Sequence, residues 1–163
     1  MARQPPRAQT EFQLAMRPWK SGQFRNQKSI MSRTKAPRPA PAPSGLIFVV
    51  DDNALLVEFA GAVLKGEGYE VRIFTDPKAA LKALQEADPK PVALVTDYEM
   101  GEMNGLELIV SSHKIAPSLK TVLLSGTIDG TFIAGHPAKV DRFLGKPYLP
   151  AQLKSVVGEL LQP

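Results

Sequence analysis

The order of apolar runs and helical stripes predicts an α/β domain, a doubly wound parallel sheet of five strands, over residues 46–163. Two observations carry that prediction. Short apolar, often β-branched runs alternate with helical patterns five times, as βαβ units on a parallel sheet require. The helical segments carry one-sided apolar stripes that need a sheet to cover them. A third observation bounds the domain, because the composition changes abruptly at residue 45.

The strands read LIFVV (46–50), YEVRIF (69–74), VALVT (92–96), KTVLL (120–124) and VDRFL (140–144), and their apolar makeup predicts burial on both faces. The first helix is expected to bury Leu56, Phe59, Ala60, Val63 and Leu64, and the last Leu153, Val156, Val157, Leu160 and Leu161. Asp76 followed by Pro77 supplies an N-cap and a first-turn proline, and Asn104 caps the helix carrying Leu106, Ile109 and Val110. Residues 127–139 contain Gly130, Gly135 and Pro137 with few periodic apolar positions, so a short or irregular helix is expected there. The last helix is expected to run almost to Pro163, with no second domain after it.

Residues 1–45 read differently. They hold nine Lys/Arg against the single acid Glu11, a net +8, and seven of the 15 prolines, four of them in the alternating run Pro37, Pro39, Pro41, Pro43. The remaining 118 residues carry 11 Lys/Arg against 15 acids, a net −4. The whole-chain +4 therefore describes neither part. Phe12, Leu14, Trp19 and Phe24 follow no period that could bury them together, so the arm is expected to be disordered with an extended Pro-rich linker. Its functional alternative is contact with nucleic acid or anionic membrane through Arg17, Lys20, Arg25 and Lys28 interleaved with Trp19 and Phe24. Starts at Met16 or Met31 would shorten the arm, and its prolines fit poorly with an organelle transit helix.

With zero cysteines the chain excludes disulfide scaffolds, thiolate metal sites and iron–sulfur clusters, which leaves oxygen ligands and hard cations. No apolar run approaches the roughly 20 residues that cross a bilayer, and no secretory signal opens the chain, so a cytoplasmic location is expected. In an open parallel sheet, ligands bind just past the carboxyl ends of the strands. There the sequence places Asp51 and Asp52, Asp97, Ser125, and Lys146 with Pro147. Three converging carboxylates repel unless a cation shares the site, and an all-oxygen set suits Mg²⁺. His113, His136, Tyr98 and Tyr148 read as ordinary surface or helix-end residues.

Four segments, LIFVVDDN, VTDYEMGEMNGLEL, LLSGT and FLGKPY, follow in that order, with 45 residues from Asp52 to Asp97, 28 on to Ser125 and 21 on to Lys146. In motif and spacing the chain resembles the receiver domain of bacterial two-component response regulators across residues 46–163, in the stand-alone, chemotaxis-regulator-like form. The resemblance implies a flavodoxin-like (βα)5 fold with strand order 2-1-3-4-5. It implies that Asp97 takes a phosphoryl group from a phosphohistidine on a sensor histidine kinase or histidine phosphotransfer protein. It further implies Mg²⁺ held by Asp52 and Asp97, by Asp51 mainly through a water, and by the backbone carbonyl of Glu99. Lys146 is expected to pair with Asp97 and then with a phosphoryl oxygen, and the bond to Pro147 to be cis. Switching is expected from Ser125 moving to the phosphoryl group as Phe143 turns inward, which alters contacts with an unknown downstream protein.

The chain departs from the pattern at Gly101, where a proline is usual and a looser loop is expected, and at Glu99, whose side chain adds a charge beside the site. A dedicated enzyme is not expected: the chain assists only its own phosphorylation and dephosphorylation, and GxxxxGK[ST] is absent from the sequence. Two other readings remain open at this point, a receiver-like docking module that needs no phosphorylation, and a basic arm acting as effector under receiver control.

Overall fold

A computed structural model of the chain describes residues 45–162. The expectations of disorder and of nucleic-acid or membrane contact fall on residues 1–44, outside the described residues. Strands β1 (Leu46–Val50), β2 (Glu70–Phe74), β3 (Ala93–Asp97), β4 (Lys120–Ser125) and β5 (Arg142–Gly145) alternate with helices α1 (Ala54–Lys65), α2 (Pro77–Glu86), α3 (Gly105–Ile115), α4 (Gly130–Ala134) and α5 (Pro150–Leu161). All ladders are parallel, in the order β2-β1-β3-β4-β5. That is the expected doubly wound sheet.

The period-two alternation of a strand divides the core between the two faces of the sheet. Ile47, Val49, Val95, Val122 and Leu124 pack with Val57, Ala60 and Leu64 of α1 and Leu153, Val157 and Leu160 of α5. Phe48, Val50, Leu94 and Leu123 pack with Ala80 and Leu84 of α2 and Leu106 and Ile109 of α3. Only the three central strands are buried on both faces. β2 and β5 lie at the edges, where Glu70, Arg72 and Arg142 face solvent, so the expectation of two-sided burial does not hold for them.

The buried stripe of α1 is also displaced from the expected one. Val57, Ala60, Gly61 and Leu64 face the sheet, while Leu56 and Phe59 are 38% and 41% exposed. Gly61 explains the rotation: a Cβ there would stand 2.8 Å from Ile73 Cγ2, so the helix rests its smallest residue on β2 and turns its larger ones outward. The last helix buries Leu153, Val157 and Leu160, with Val156 and Leu161 partly buried. α4 is a five-residue turn of helix capped by Asp129, as its glycines lead one to expect.

The start of α3 is held tightly to the end of β3. Asn104 and Glu107 form a reciprocal capping box, and the Gly105 N–H donates to Tyr98 O at 2.9 Å. A Cβ on Gly105 would lie 2.1 Å from Asp97 O, so only glycine permits this approach. Gly105→Ala is expected to destabilise the domain by about 3 kcal/mol through the displaced backbone, and Asn104→Ala by about 1 kcal/mol through the lost cap. Urea unfolding of both variants checks the ranking, and equal effects would refute the close-approach account.

Candidate functional site

Ladder register places the polar residues side by side. Thr96, just before Asp97, pairs with Val50, just before Asp51. Asp97 pairs with Leu124, just before Ser125, and Ser125 pairs with Gly145, just before Lys146. Beyond the ladders, Tyr98 N donates to Leu124 O at 2.9 Å and Lys146 N to Ser125 O at 2.7 Å. Residues spread over 95 positions of sequence thus reach one crevice at the carboxyl edge of the sheet.

Within it, Lys146 Nζ lies 3.0 Å from Asp97 Oδ1 and 3.0 Å from Asp51 Oδ2. The second contact is not among the sequence expectations, which pair the lysine with Asp97 alone. Asp51 and Asp97 are buried, whereas Asp52 is exposed. Asp51 Oδ1 accepts from Asn53 N at 2.9 Å, and Asn53 Oδ1 in turn accepts from Leu55 N and Leu56 N to cap α1. One side-chain relay therefore fixes both Asp51 and the helix that follows it. The Lys146–Pro147 peptide is cis, as is Asp88–Pro89, for which the sequence reading has no counterpart.

Burial pushes the Asp97 carboxyl above the usual carboxylate range, and the Asp51 charge adds to it, against the opposing pull of the Lys146 hydrogen bond and charge. For Lys146, burial alone would lower the ammonium, but its bonds to Asp97 and Asp51 outweigh this and hold it above its ordinary value. The carboxylates of Asp51, Asp52 and Asp97 each bring an oxygen within 4.8 Å of the others. Facing pairs around Mg²⁺ stand about 4.2 Å apart, so a small closure or a bridging water fits the ion. Three carboxylates against one ammonium leave an excess of negative charge that a divalent cation suits. Oxygen donors also match the hardness of Mg²⁺.

Glu99 is exposed in the loop after β3, which brings its side chain into no hydrogen bond among the described residues. Gly101 adopts φ +66°, a conformation closed to the proline that is usual there. A Cβ at Gly101 would meet nothing within 4 Å, so the requirement is conformational rather than steric crowding. Met100 anchors the loop with 4% exposure. Phe143 is half-buried against the core on the α2 and α3 face, together with Ile128 and Ile133.

Ser125 Oγ accepts from Thr127 N at 3.1 Å and Ile128 N at 3.2 Å, and lies 3.3 Å from Thr127 Oγ1. Tyr98, read in sequence as ordinary, meets Phe132 of α4 edge-on at 6.3 Å, and Phe132 stacks on His136 at 6.5 Å. On the other side of the crevice, Leu56, Phe59, Lys146, Pro147 and Tyr148 line an apolar groove of about 400 Å³. Leu55 and Leu149, next to these in the chain, are 81% and 67% exposed. The rotation of α1 creates this groove, and sequence periodicity gave no signal of that rotation beyond Gly61 itself.

Because the folded chain holds the Asp97 proton to higher pH than the unfolded chain does, stability falls as pH climbs from the ordinary carboxylate range to the raised value. Above that value the cost is constant. Asp97→Asn is therefore expected to melt higher than wild type at pH 7 without divalent cations, and the advantage to vanish below the ordinary carboxylate range. Calorimetric scans across pH check this, and a lower melting temperature for the variant at pH 7 would refute it.

The model of the response regulator receiver domain family matches residues 47–158. The chain is 31% identical over 109 residues to the DNA-binding response regulator MtrA of Mycolicibacterium paratuberculosis, covering 66% of this chain and 47% of that protein. It is 28% identical over 120 residues to the sensor kinase CckA of Brucella abortus, covering 73% of this chain and 13% of that protein. The chain thus spans less than half the length of either of these two relatives. In fold it is similar to the chemotaxis protein CheY4 of Vibrio cholerae, with a TM-score of 0.67 at 21% identity over 72% of this chain and 99% of that one. Among the described residues no helix is long and apolar enough to cross a membrane. Response regulators receive phosphoryl groups from histidine kinases, and their receiver domains bind Mg²⁺ through acidic residues. With the family model matching most of the chain, and with the sheet order of that fold, the chain belongs to the response regulator receiver domain family.

Proposed function

We propose that the chain is a phosphoacceptor response regulator in which Asp97 takes a phosphoryl group from a phosphohistidine of a sensor histidine kinase or histidine phosphotransfer protein. The observation that carries this reading is the position of Lys146, 3.0 Å from Asp97 and 3.0 Å from Asp51 at the ends of three strands. In this reading residues 46–163 form the receiver and residues 1–45 an extension to it, and the chain works in the cytoplasm. The output is an altered set of protein contacts with a downstream partner.

Asp51, Asp52, Asp97 and the backbone carbonyl of Glu99 would hold Mg²⁺, which when bound neutralises phosphoryl oxygens. A carboxylate oxygen of Asp97 attacks phosphorus in line with the P–N bond. The O–P bond forms as the P–N bond breaks, and its electron pair returns to the imidazole nitrogen of the donor. Lys146 releases Asp97 and takes a phosphoryl oxygen by a charge-assisted hydrogen bond, and Ser125 donates to another. Positioning and charge neutralisation do the work, since a carboxylate needs no further activation to act as the nucleophile. Phe143 follows Ser125 inward, and the surface around α4 repacks.

The apolar groove beside Lys146 is where the donor's helical surface docks. It is lined by Lys146, the partner of the nucleophile, and its Leu56 and Phe59, with the exposed Leu55 and Leu149 next to them in the chain, offer the apolar contact a transient protein complex needs.

Intact-protein mass after incubation with Mg²⁺ and a small phosphodonor is expected to show one added phosphoryl group, absent from Asp97→Asn and from a magnesium-free control. Wild type without an adduct, while still folded and binding Mg²⁺ but failing to bind beryllofluoride in titration, would overturn the reading in favour of a docking module. Asp52→Asn is expected to weaken Mg²⁺ at least tenfold, measured by titration calorimetry. Leu55→Glu is expected to slow transfer from a phosphorylated protein donor about tenfold or more and to leave acetyl phosphate transfer unchanged. Equal slowing with both donors would place the groove outside the docking surface.

A further inference from the structure

We propose that Thr127 is a positioning residue whose hydroxyl holds the Ser125 proton away from Asp97 in the unphosphorylated chain, and so sets how readily the phosphoryl state forms. The assignment rests on the reading of Asp97 as phosphoacceptor and goes beyond it to a residue next to the site.

A serine hydroxyl has two acceptor sites and one proton. At Ser125 the N–H groups of Thr127 and Ile128 fill both acceptor sites, at 3.1 and 3.2 Å. The remaining contact, 3.3 Å to Thr127 Oγ1, therefore uses the proton: Ser125 donates and Thr127 accepts. A phosphoryl oxygen on Asp97 can only accept, so it competes with Thr127 for that one proton. On binding, a phosphoryl oxygen replaces Thr127 Oγ1 as the acceptor of that proton, which stays on Ser125 throughout.

The same bonds tie the site to the surface beyond it. Ile128 is followed by Asp129, whose carboxylate accepts from Thr131 N and Phe132 N to start α4. Turning the Ser125 hydroxyl toward Asp97 takes its oxygen away from Thr127 N and Ile128 N, and the turn that leads into α4 loses its anchor. Phe132, half exposed on α4 and in edge contact with Tyr98, is then free to move.

At 3.3 Å the Ser125–Thr127 bond is long for two hydroxyls, which places its contribution at the low end for a side-chain hydrogen bond. The expected effect is correspondingly modest. Thr127 is exposed, so the isosteric Thr127→Val removes the acceptor without opening a cavity in the core.

The test is titration of the full chain with beryllofluoride in saturating Mg²⁺, followed by amide NMR. Thr127→Val is expected to bind about threefold more tightly than wild type, and Thr127→Ser to match wild type because it restores the acceptor. In a Ser125→Ala background the Thr127→Val difference is expected to disappear, since the proton it competes for is gone. Equal or weaker binding by Thr127→Val would overturn the assignment, weaker binding identifying Thr127 as a phosphoryl ligand instead. Persistence of the threefold gain without the Ser125 hydroxyl would overturn it as well. Failure of wild type and every variant to bind would overturn the reading of Asp97, and this assignment with it.

Discussion

Two carboxylates buried at the ends of adjacent parallel strands, with one ammonium between them, impose the constraint from which the rest of this domain follows. Two carboxylates buried side by side need a compensating charge, and Lys146 reaches both at 3.0 Å only because the β1, β3, β4 and β5 ladders share one register. A one-residue slip of β3 would send Asp97 to the opposite face of the sheet. The alternating apolar residues that forbid such a slip are therefore as much part of the site as the charges. Gly105 serves the same end, since it brings the start of α3 against the backbone of Asp97.

The site is also balanced toward change. A lysine shared by two acids can leave either one and keep a partner, while the excess negative charge favours a divalent cation. Around it the surroundings divide in function. One flank, between α1 and the start of α5, is apolar and open. The other, between Ser125 and α4, carries side-chain hydrogen bonds at Ser125, Thr127 and Asp129 and the aromatic contact of Tyr98 with Phe132. The first flank suits recognition of another molecule. The second suits transmission, because few buried apolar contacts hold the five-residue α4 in place.

Much of this was legible in the amino-acid sequence, and the reasons are physical. Buried central strands must be apolar throughout, so LIFVV is legible to the residue, and caps such as Asp76 and Asn104 have few alternative uses. The strand-end rule alone brings Asp51, Asp52, Asp97, Ser125 and Lys146 to one edge. What escaped was relational. The rotation of α1 depends on Gly61 meeting Ile73, a contact between segments that periodicity within one helix does not contain. The bond from Lys146 to Asp51 and the hydroxyl pair of Ser125 and Thr127 depend on side-chain rotamers. Edge strands differ from central ones only through sheet order, which is why β2 and β5 were read as fully buried when they are not.

Those two edges limit how another chain can pair with the sheet. An unpaired strand edge is a template for another chain, yet β5 has four residues with Arg142 facing solvent, and β2 exposes Glu70 and Arg72. Short and charged, they discourage the sheet from growing by strand addition. A partner that recognises this domain must then read side chains displayed by helices and loops. Recognition through side chains responds to sub-ångström repacking, whereas backbone pairing along an edge would tolerate it, so the guarded edges leave the surface able to report small movements at the crevice.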